Sequence, residues 1–226
     1  MNTEWLIKLW DNGVLQLGVW ETIYMTLLAA LFSYLIGLPL GLLLRVTDAD
    51  GIHPIKWLNS ALGVIVNFLR SMPFLIPMIA MLPVAKFIVG TSLGNKAVIV
   101  TLVIAAAPYV ARMVESSAKE VDAGVIEAAQ SMGASTFQIV WKVLIPEAKP
   151  ALIVGAVIST VTILGYSAMA ATIGGGGLGQ IAIVYGHQRS NPAVIWVCVV
   201  LIAIIVQIIQ VVGMRIAHRV DRRARS

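Results

Sequence analysis

The chain has 226 residues, of which 59% are hydrophobic and only 12% are charged, with a formal net charge of +5. A soluble domain carries roughly a quarter of its residues as Asp, Glu, Lys or Arg, so this composition excludes an ordinary soluble protein. Because a helix needs about 20 apolar residues to cross a bilayer, the length allows about five crossings and leaves no room for a nucleotide-binding domain. The basic residues stand between apolar runs and gather at the C-terminus, a pattern typical of a membrane anchor and not of nucleic-acid binding.

Five apolar segments predict an all-α integral membrane protein. Thr22–Leu44 contains no charged residue and is long enough to span the hydrocarbon core. A cluster of turn-forming residues, Asp48, Asp50, Gly51 and Pro54, then interrupts the apolar pattern. We place the five spans at about 22–45, 57–84, 92–117, 151–171 and 192–214.

Charged residues lie well inside the second and third predicted spans. The second contains Arg70, and we expect it to be kinked or broken near Pro73, because proline removes a helical hydrogen bond. The third extends through Arg112 and Glu115, whose i, i+3 spacing predicts an ion pair.

A glycine run follows the fourth span. Gly174–Gly177 and Gly179 interrupt the helical pattern, which predicts a re-entrant or surface excursion at about 172–191. No Gly-Lys-Ser/Thr follows these glycines, so we predict no nucleotide site there. The histidines lie far apart in the sequence, at positions 53, 187 and 218, and we predict no metal site.

The distribution of Lys and Arg predicts an external N-terminus and a cytoplasmic C-terminus. In that orientation the external segments hold Lys8, Lys86, Lys96 and Arg189. The cytoplasmic segments hold more basic residues, namely Arg45, Lys56, Arg112, Lys119, Lys142, Lys149, Arg215, Arg219, Arg222, Arg223 and Arg225. The polar segment from Lys119 to Lys149, here named the 119–149 loop, is then cytoplasmic.

The 119–149 loop is predicted to form two short helices. Gly133 can take the left-handed conformation that closes the first helix. Ser135 with Gln138 three residues later matches a capping box for the second helix, and Pro146 is predicted to end it.

The first of these helices has the features of a docking element. Small side chains at Ala128 and Ala129 let another surface approach the backbone, and Glu127 offers a charged hydrogen-bond acceptor. From these residues alone, an amphipathic loop lying at the membrane interface is an equally open interpretation.

The same loop carries a resemblance to a known family. Glu127-Ala128-Ala129, Gly133 four positions later and Pro146 after Val143 and Ile145 resemble the EAA loop of permease subunits of binding-protein-dependent ABC importers. The family prefers Ile and Leu where this chain has Val143 and Ile145. The resemblance covers most of the chain and is most specific to methionine importer permeases. The motifs that carry it there are 70–74 (RSMPF), 107–115 (APYVARMVE), 164–169 (LGYSAM) and 176–180 (GGLGQ).

The resemblance implies a type I importer permease in the bacterial inner membrane that is not itself an enzyme and has no catalytic residue. It implies a second copy of the chain, two ABC ATPase subunits that bind ATP and Mg²⁺, and a periplasmic or lipoprotein methionine-binding protein. Glu127, Ala128, Ala129, Gly133 and Pro146 would couple ATP-driven closure of the ATPase to the spans. We expect Gly133→Trp, by filling the helix junction, to abolish transport.

Six further residues are candidates for the translocation pathway or its gate: Arg70, Ser71, Pro73, Tyr166, Ser167 and Met169. Arg70 either lines the pathway or holds the kink at Pro73, or else it is a structural arginine that binds carbonyls freed at Pro73. The polar and soft groups at positions 166, 167 and 169 either contact substrate or simply pack in their helix.

Other function classes are disfavoured. An ion-driven transporter or channel needs intramembrane carboxylates, but no Asp or Glu lies between Asp50 and Glu115 or between Glu147 and Asp221. A membrane enzyme needs paired acids, a histidine cluster or an activated nucleophile in the spans, and none is visible. Among ABC importers, another amino acid or small solute is the alternative substrate.

Overall fold

The computed structural model describes residues 3–221, which form helices joined by short turns, so the predicted all-α class is confirmed. The α-helices in chain order are α1 (Thr3–Asp11), α2 (Val14–Thr47), α3 (Lys56–Ser71), α4 (Leu75–Ala80), α5 (Leu82–Val89), α6 (Asn95–Lys119), α7 (Ala123–Ser131), α8 (Thr136–Ile139), α9 (Ile145–Met169), α10 (Leu178–Ile181) and α11 (Pro192–Val220). A 3₁₀ segment follows α9 (Ala170–Ile173), and π-helical segments lie at Val140–Leu144 and Ala182–His187. The predicted tail residues Arg222, Arg223 and Arg225 lie outside the described residues.

Four helical stretches of the described chain are long and apolar enough to cross a bilayer. They are Val14–Thr47, Asn95–Lys119, Thr136–Ile173 and Pro192–Val220. These stretches overlap the first, third, fourth and fifth predicted spans. The number of crossings and the orientation of the chain stay predictions.

The second predicted span, 57–84, is divided among α3, α4 and α5. Met72 has extended backbone (φ −78°, ψ 139°) between α3 and α4, because the ring of Pro73 disfavours the helical conformation in the residue before it. The predicted break near Pro73 is therefore confirmed. A second break lies at Met81, which leaves the helical region between α4 and α5.

The described residues form two compact units. Unit 1 consists of the described parts of Met1–Phe32, Pro73–Ala106 and Thr160–Gln210. Its two apolar clusters are built by side chains of α1, α2, α4, α6, α9, α10 and α11. The first is centred on Met25, Met78, Leu102 and Ile163, and the second on Leu15, Leu164, Leu178, Val194 and Cys198.

Unit 2 consists of the described parts of Ser33–Met72, Ala107–Ser159 and Val211–Ser226. Within it, α2 packs closely against α6 through Gly37 and Gly41. A Cβ atom added at Gly37 would lie 2.6 Å from Val110 Cγ1, and one at Gly41 would lie 2.7 Å from Val114 Cβ. Glycines four residues apart bring the two backbones close enough for dispersion contacts along their length.

The prediction that Pro146 ends the second helix of the 119–149 loop is wrong, because the chain continues from α8 through the π-helical segment into α9. The Ile145 N–H donates to the Val140 carbonyl five residues earlier. This turn is one residue wider than an α-helical turn, so the α-helical hydrogen-bond pattern starts again at Ile145. Pro146 therefore lies in the first turn of α9. Proline is tolerated in a first turn because its missing N–H would have no intrahelical partner there.

Candidate functional site: the 119–149 loop and the α6 groove

Local hydrogen bonds define both short helices of the 119–149 loop. The Asp122 carboxylate caps α7 by accepting from the Gly124 N–H at 2.7 Å. Gly133 follows α7 with φ +77°, as the sequence predicted. The capping box is also confirmed, since the Ser135 N–H donates to Gln138 Oε1 at 2.8 Å and the Gln138 N–H donates to Ser135 Oγ at 3.4 Å.

One face of the loop is anchored in unit 2. Ile126 and Ala129 of α7 pack with Ile139 and Leu144 in an apolar cluster that is completed by Ala118, Val121 and Ala148. An α7 peptide of nine residues would not be a stable helix alone in water. The packed face therefore holds α7 and α8 in place.

The opposite face is exposed and largely apolar; we name Glu127, Met132, Phe137 and Trp141 the docking face. The Glu127 side chain is exposed, and Met132 and Phe137 are 81% and 72% exposed. The Phe137 and Trp141 rings lie 6.0 Å apart in a tilted arrangement. Exposed apolar side chains at the edge of a candidate span are typical of a surface that contacts either another protein or the membrane interface.

The structure changes the expected roles of two small residues. Ala128 is exposed, but Ala129 is buried inside the cluster, because consecutive helical residues point to different faces. Ala129 therefore lets α7 approach the interior of unit 2 and does not itself face outward. At Gly133 no atom lies within 4 Å of an added Cβ, so a larger residue there would not fill the helix junction as we expected.

The turn after α2 supports the loop within unit 2. Lys119 Nζ lies 2.7 Å from Asp48 Oδ2, and Gln130 Nε2 donates to the Ile52 carbonyl at 3.3 Å. The hydrogen bond from Lys119 is the main cause that lowers the pKa of the Asp48 carboxyl below its ordinary value of 3.8. Asn59 Nδ2 donates to the Leu44 carbonyl at 2.7 Å and so fixes the start of α3 against the end of α2.

A cavity of about 300 Å³, here named the α6 groove, lies in unit 2 along one side of α6. It is lined by Arg70, Tyr109, Arg112, Met113, Glu115, Ser116 and Lys119. Arg112 forms the predicted ion pair with Glu115, and Lys119 Nζ lies 3.0 Å from the other oxygen of that carboxylate. Arg112 Nη2 also donates to the Gly63 carbonyl of α3 at 3.2 Å.

The candidate pathway residues around the break between α3 and α4 have different surroundings. Arg70 is exposed and lines the α6 groove, and no carbonyl of residues 3–221 accepts a hydrogen bond from its side chain. The interpretation that carbonyls freed at Pro73 satisfy this arginine is therefore wrong. Ser71 Oγ donates to the Asn67 carbonyl at 2.8 Å, and Pro73 is exposed at the break.

The candidates near the end of α9 lie in unit 1. The Tyr166 ring stacks on Phe74, with ring centroids 3.6 Å apart and planes inclined by 11°. This contact joins the residue after Pro73 to α9. Ser167 is buried and its hydroxyl donates to the Leu164 carbonyl at 2.8 Å, whereas Met169 is 53% exposed. Of these three residues, Met169 is the one whose side chain is most available to another molecule.

Sequence reasoning missed a polar network in unit 1 that holds the glycine run Gly174–Gly177, here named the glycine loop. The Glu21 carboxylate accepts from the Gly177 N–H at 2.7 Å and from Asn95 Nδ2 at 2.8 Å. Asn95 Oδ1 accepts from the Gly176 N–H at 2.6 Å. Thr22 Oγ1 accepts from the Leu178 N–H at 2.9 Å. Nothing in the local sequence pairs these residues, because they are 74 to 156 positions apart.

The described residues contain no group of three or more His, Cys, Asp or Glu side chains placed to hold a metal ion. What the site offers instead is an exposed, largely apolar face on the 119–149 loop and a cationic groove beside α6.

Comparisons with known proteins give the family. Residues 37–226 match the model of the binding-protein-dependent transport system inner membrane component. The chain is 47% identical over 213 residues to the probable D-methionine transport system permease protein MetI of Vibrio cholerae serotype O1, covering 94% of this chain and 95% of the relative. It is also 47% identical to the methionine import system permease protein MetP of Bacillus subtilis, covering 96% of each chain.

A solved structure described as inward-facing conformations of the MetNI methionine ABC transporter superposes with a TM-score of 0.90 at 47% identity. The alignment covers 92% of this chain and 96% of that chain. The chain belongs to the family of inner-membrane components of binding-protein-dependent transport systems, and it is a multi-pass permease subunit of an ABC transporter.

Proposed function

We propose that this chain is the permease of an ATP-driven importer that translocates methionine, in the L form and also the D form, across the inner membrane by alternating access. Support comes from the family match and from the close relatives named as methionine permeases. A permease for another amino acid or small solute is the alternative. An ion-driven transporter is disfavoured, because the spans contain too few carboxylates.

The observation that carries the proposal is the two-sided 119–149 loop. Its buried face is fixed in unit 2, and its docking face is exposed. We propose that a separate ATPase subunit, which binds the ATP and Mg²⁺, holds this docking face. Movement of the ATPase then moves α7 and α8 together with the helices packed on them, as a rigid body.

In this assembly two copies of the permease enclose the pathway, two ATPase subunits bind on the cytoplasmic side, and a binding protein delivers substrate from outside. The chain crosses the membrane five times with its N-terminus outside and its C-terminus inside. Nucleotide binding shifts the equilibrium between the inward-open and outward-open states only if the ATPase binds the 119–149 loop with a different free energy in each state. Glu127, Ala128 and Gly133 contribute to that contact, while Ala129 and Pro146 act on the conformation of the loop.

The proposed pathway residues fall into two groups, those that can contact a solute and those that hold the shape of the pathway. Arg70 and Met169 have exposed side chains that can contact a solute. Ser71, Pro73, Tyr166 and Ser167 hold the shape of the segments on which those side chains lie, through the break after α3 and the stack on Phe74.

Reconstitution tests the proposal. The chain is copurified with a candidate ATPase and reconstituted in proteoliposomes, and the binding protein is added. ATP hydrolysis and the uptake of labelled methionine are then measured. We expect methionine to stimulate both activities in the wild type. Glu127→Ala should lower both, because the docking face loses its charged acceptor, whereas Glu120→Ala, an exposed acidic residue outside the docking face, should not. Uptake of another amino acid but not of methionine would overturn the assignment of the substrate.

A further inference from the structure

The α6 groove contains more positive charge than the structure neutralises. Arg70, Arg112 and Lys119 line it, with Glu115 as its carboxylate. Glu115 pairs with both Arg112 and Lys119, and Asp48 pairs with Lys119 from the turn after α2. Each of those two cations therefore faces a carboxylate.

Arg70 differs from the other two cations. Its side chain is exposed to the groove, and no described residue pairs with it. In addition, the Arg112 Nε atom is buried without a hydrogen-bond partner among the described residues. The groove thus offers an exposed guanidinium group that no described residue pairs with, beside an arginine whose Nε atom is too buried to meet a ligand without a rearrangement.

The remaining lining is suited to a small amphipathic anion. A guanidinium binds a carboxylate or a phosphate through two parallel hydrogen bonds. Tyr109 supplies a hydroxyl group, and Met113 supplies an adaptable apolar surface. A volume of about 300 Å³ is at the small end of the range for ligand pockets, which suits a small solute or the headgroup of a larger molecule.

We propose that the α6 groove is a binding site for an anionic oxygen group, a carboxylate or a phosphate, with Arg70 as its principal cation. The anion comes from one of two sources, the α-carboxylate of an amino acid or the headgroup of an anionic phospholipid. In the first case the inference rests on the proposed function and adds a substrate contact made by the permease itself. In the second case it stands independently of the transported solute.

The test measures access to the groove in the permease–ATPase complex in nanodiscs. Cys198 is replaced by alanine and Ser116, which is exposed and lines the groove, by cysteine, and the rate of maleimide labelling is followed. The probes are methionine and methioninol, which has the same side chain and ammonium group but no carboxylate. Each probe is tested in nanodiscs of phosphatidylcholine alone and in nanodiscs that also contain phosphatidylglycerol.

We expect one of two results in the protein with Arg70. Slower labelling with methionine but not with methioninol identifies a carboxylate, and slower labelling with phosphatidylglycerol identifies a lipid phosphate. In Arg70→Gln the concentration for half-maximal protection should rise about tenfold, the effect of losing a hydrogen bond to a charged group. Arg70→Lys should retain part of the protection, and Lys86→Gln, an exposed cation that does not line the groove, should retain all of it.

The proposal is overturned if neither methionine nor phosphatidylglycerol slows the labelling, or if Arg70→Gln is protected as well as its parent. Failure of the proposed function gives a different result. The reconstituted wild type would then take up no methionine, whether or not the labelling of Ser116→Cys is slowed.

Discussion

The 119–149 loop and the glycine loop are both short-helix junctions with glycines at positive φ, yet they are held by different interactions. Around Gly133 the hydrogen bonds that cap the two helices are local, namely those of Asp122 and of Ser135 with Gln138. Around Gly177 they come from the side chains of Glu21, Thr22 and Asn95, which are distant in sequence. The first junction leaves an exposed face, and the second is tied down from several sides.

The space around Gly133 is open, whereas the space around the glycine loop is crowded. A Cβ added at Gly133 would have no atom within 4 Å, whereas a Cβ added at Gly176 would lie 2.8 Å from Glu21 Cδ and 2.9 Å from Asn95 Oδ1. We infer that the 119–149 loop is shaped for contact with another molecule and that the glycine loop is shaped for internal rigidity.

The largest effect is expected for Gly133→Trp. Because the space beside Gly133 is open, the indole would project outward next to the docking face, and the left-handed backbone would be strained for any residue other than glycine or asparagine. Methionine uptake should fall to background while expression and membrane insertion stay normal. Gly133→Asn is the matched control and should keep most of the uptake; wild-type uptake by the tryptophan variant would contradict the role of this face.

A smaller effect is expected for Glu21→Ala in the glycine loop. The change leaves the Gly177 N–H and Asn95 Nδ2 without their acceptor, and an unsatisfied buried donor costs about 1–3 kcal/mol. The thermal midpoint of the purified protein in detergent should fall. Asp11→Ala removes an equal charge from an exposed site and should leave the midpoint unchanged; equal shifts in both variants would show that the network contributes nothing.

Ser135→Ala should act locally in the 119–149 loop. Loss of an N-cap costs about 1 kcal/mol of helix stability, so the amides at the start of α8 should exchange with deuterium several times faster. The rest of the chain should keep its protection, since the buried face of the loop is unchanged. Ser131→Ala, at the exposed end of α7, is the control; if exchange is equal in the two variants, the capping box does not hold α8.

The smallest effect is expected from protonation of Asp48. Its pKa is lowered in the folded protein by the hydrogen bond from Lys119, so its contribution to stability is present above the ordinary pKa of 3.8 and is lost as the pH falls through the lowered value. The drop in thermal midpoint on acidification below that pH should be smaller in Asp48→Asn than in the wild type. Identical acid profiles would mean that the pair has no energetic effect, as is common for exposed ion pairs.

These two regions also show what the sequence could predict. The capping box and Gly133 were predictable because their partners lie within a few residues, and the break at Pro73 follows from the geometry of proline. The C-terminal end of the 119–149 loop was not predicted correctly, because the π-helical segment before Pro146 lets the helix continue past the proline.

Interactions distant in sequence could not be predicted in the same way. Glu21 stands directly before the first predicted span in the sequence, and its hydrogen-bond partners are supplied by the fold. The close contact of α2 with α6 did leave a signal, since Gly37 and Gly41 have the small-xxx-small spacing of packed membrane helices. That no residue within 3–221 pairs with Arg70 could be learned only from the structure, because it depends on Glu115 and Asp48 pairing with Arg112 and Lys119 instead.

The most direct test of the account is the accessibility of the docking face with and without the ATPase. In a protein with Cys198→Ala and Met132→Cys, a membrane-impermeant maleimide should label residue 132 rapidly in the isolated permease, since Met132 is 81% exposed. Labelling should slow several-fold when the ATPase is bound, while an exposed control site, Ser190→Cys, should be labelled at the same rate in both. Equal labelling of residue 132 with and without the ATPase would contradict the claim that this face is where the ATPase docks.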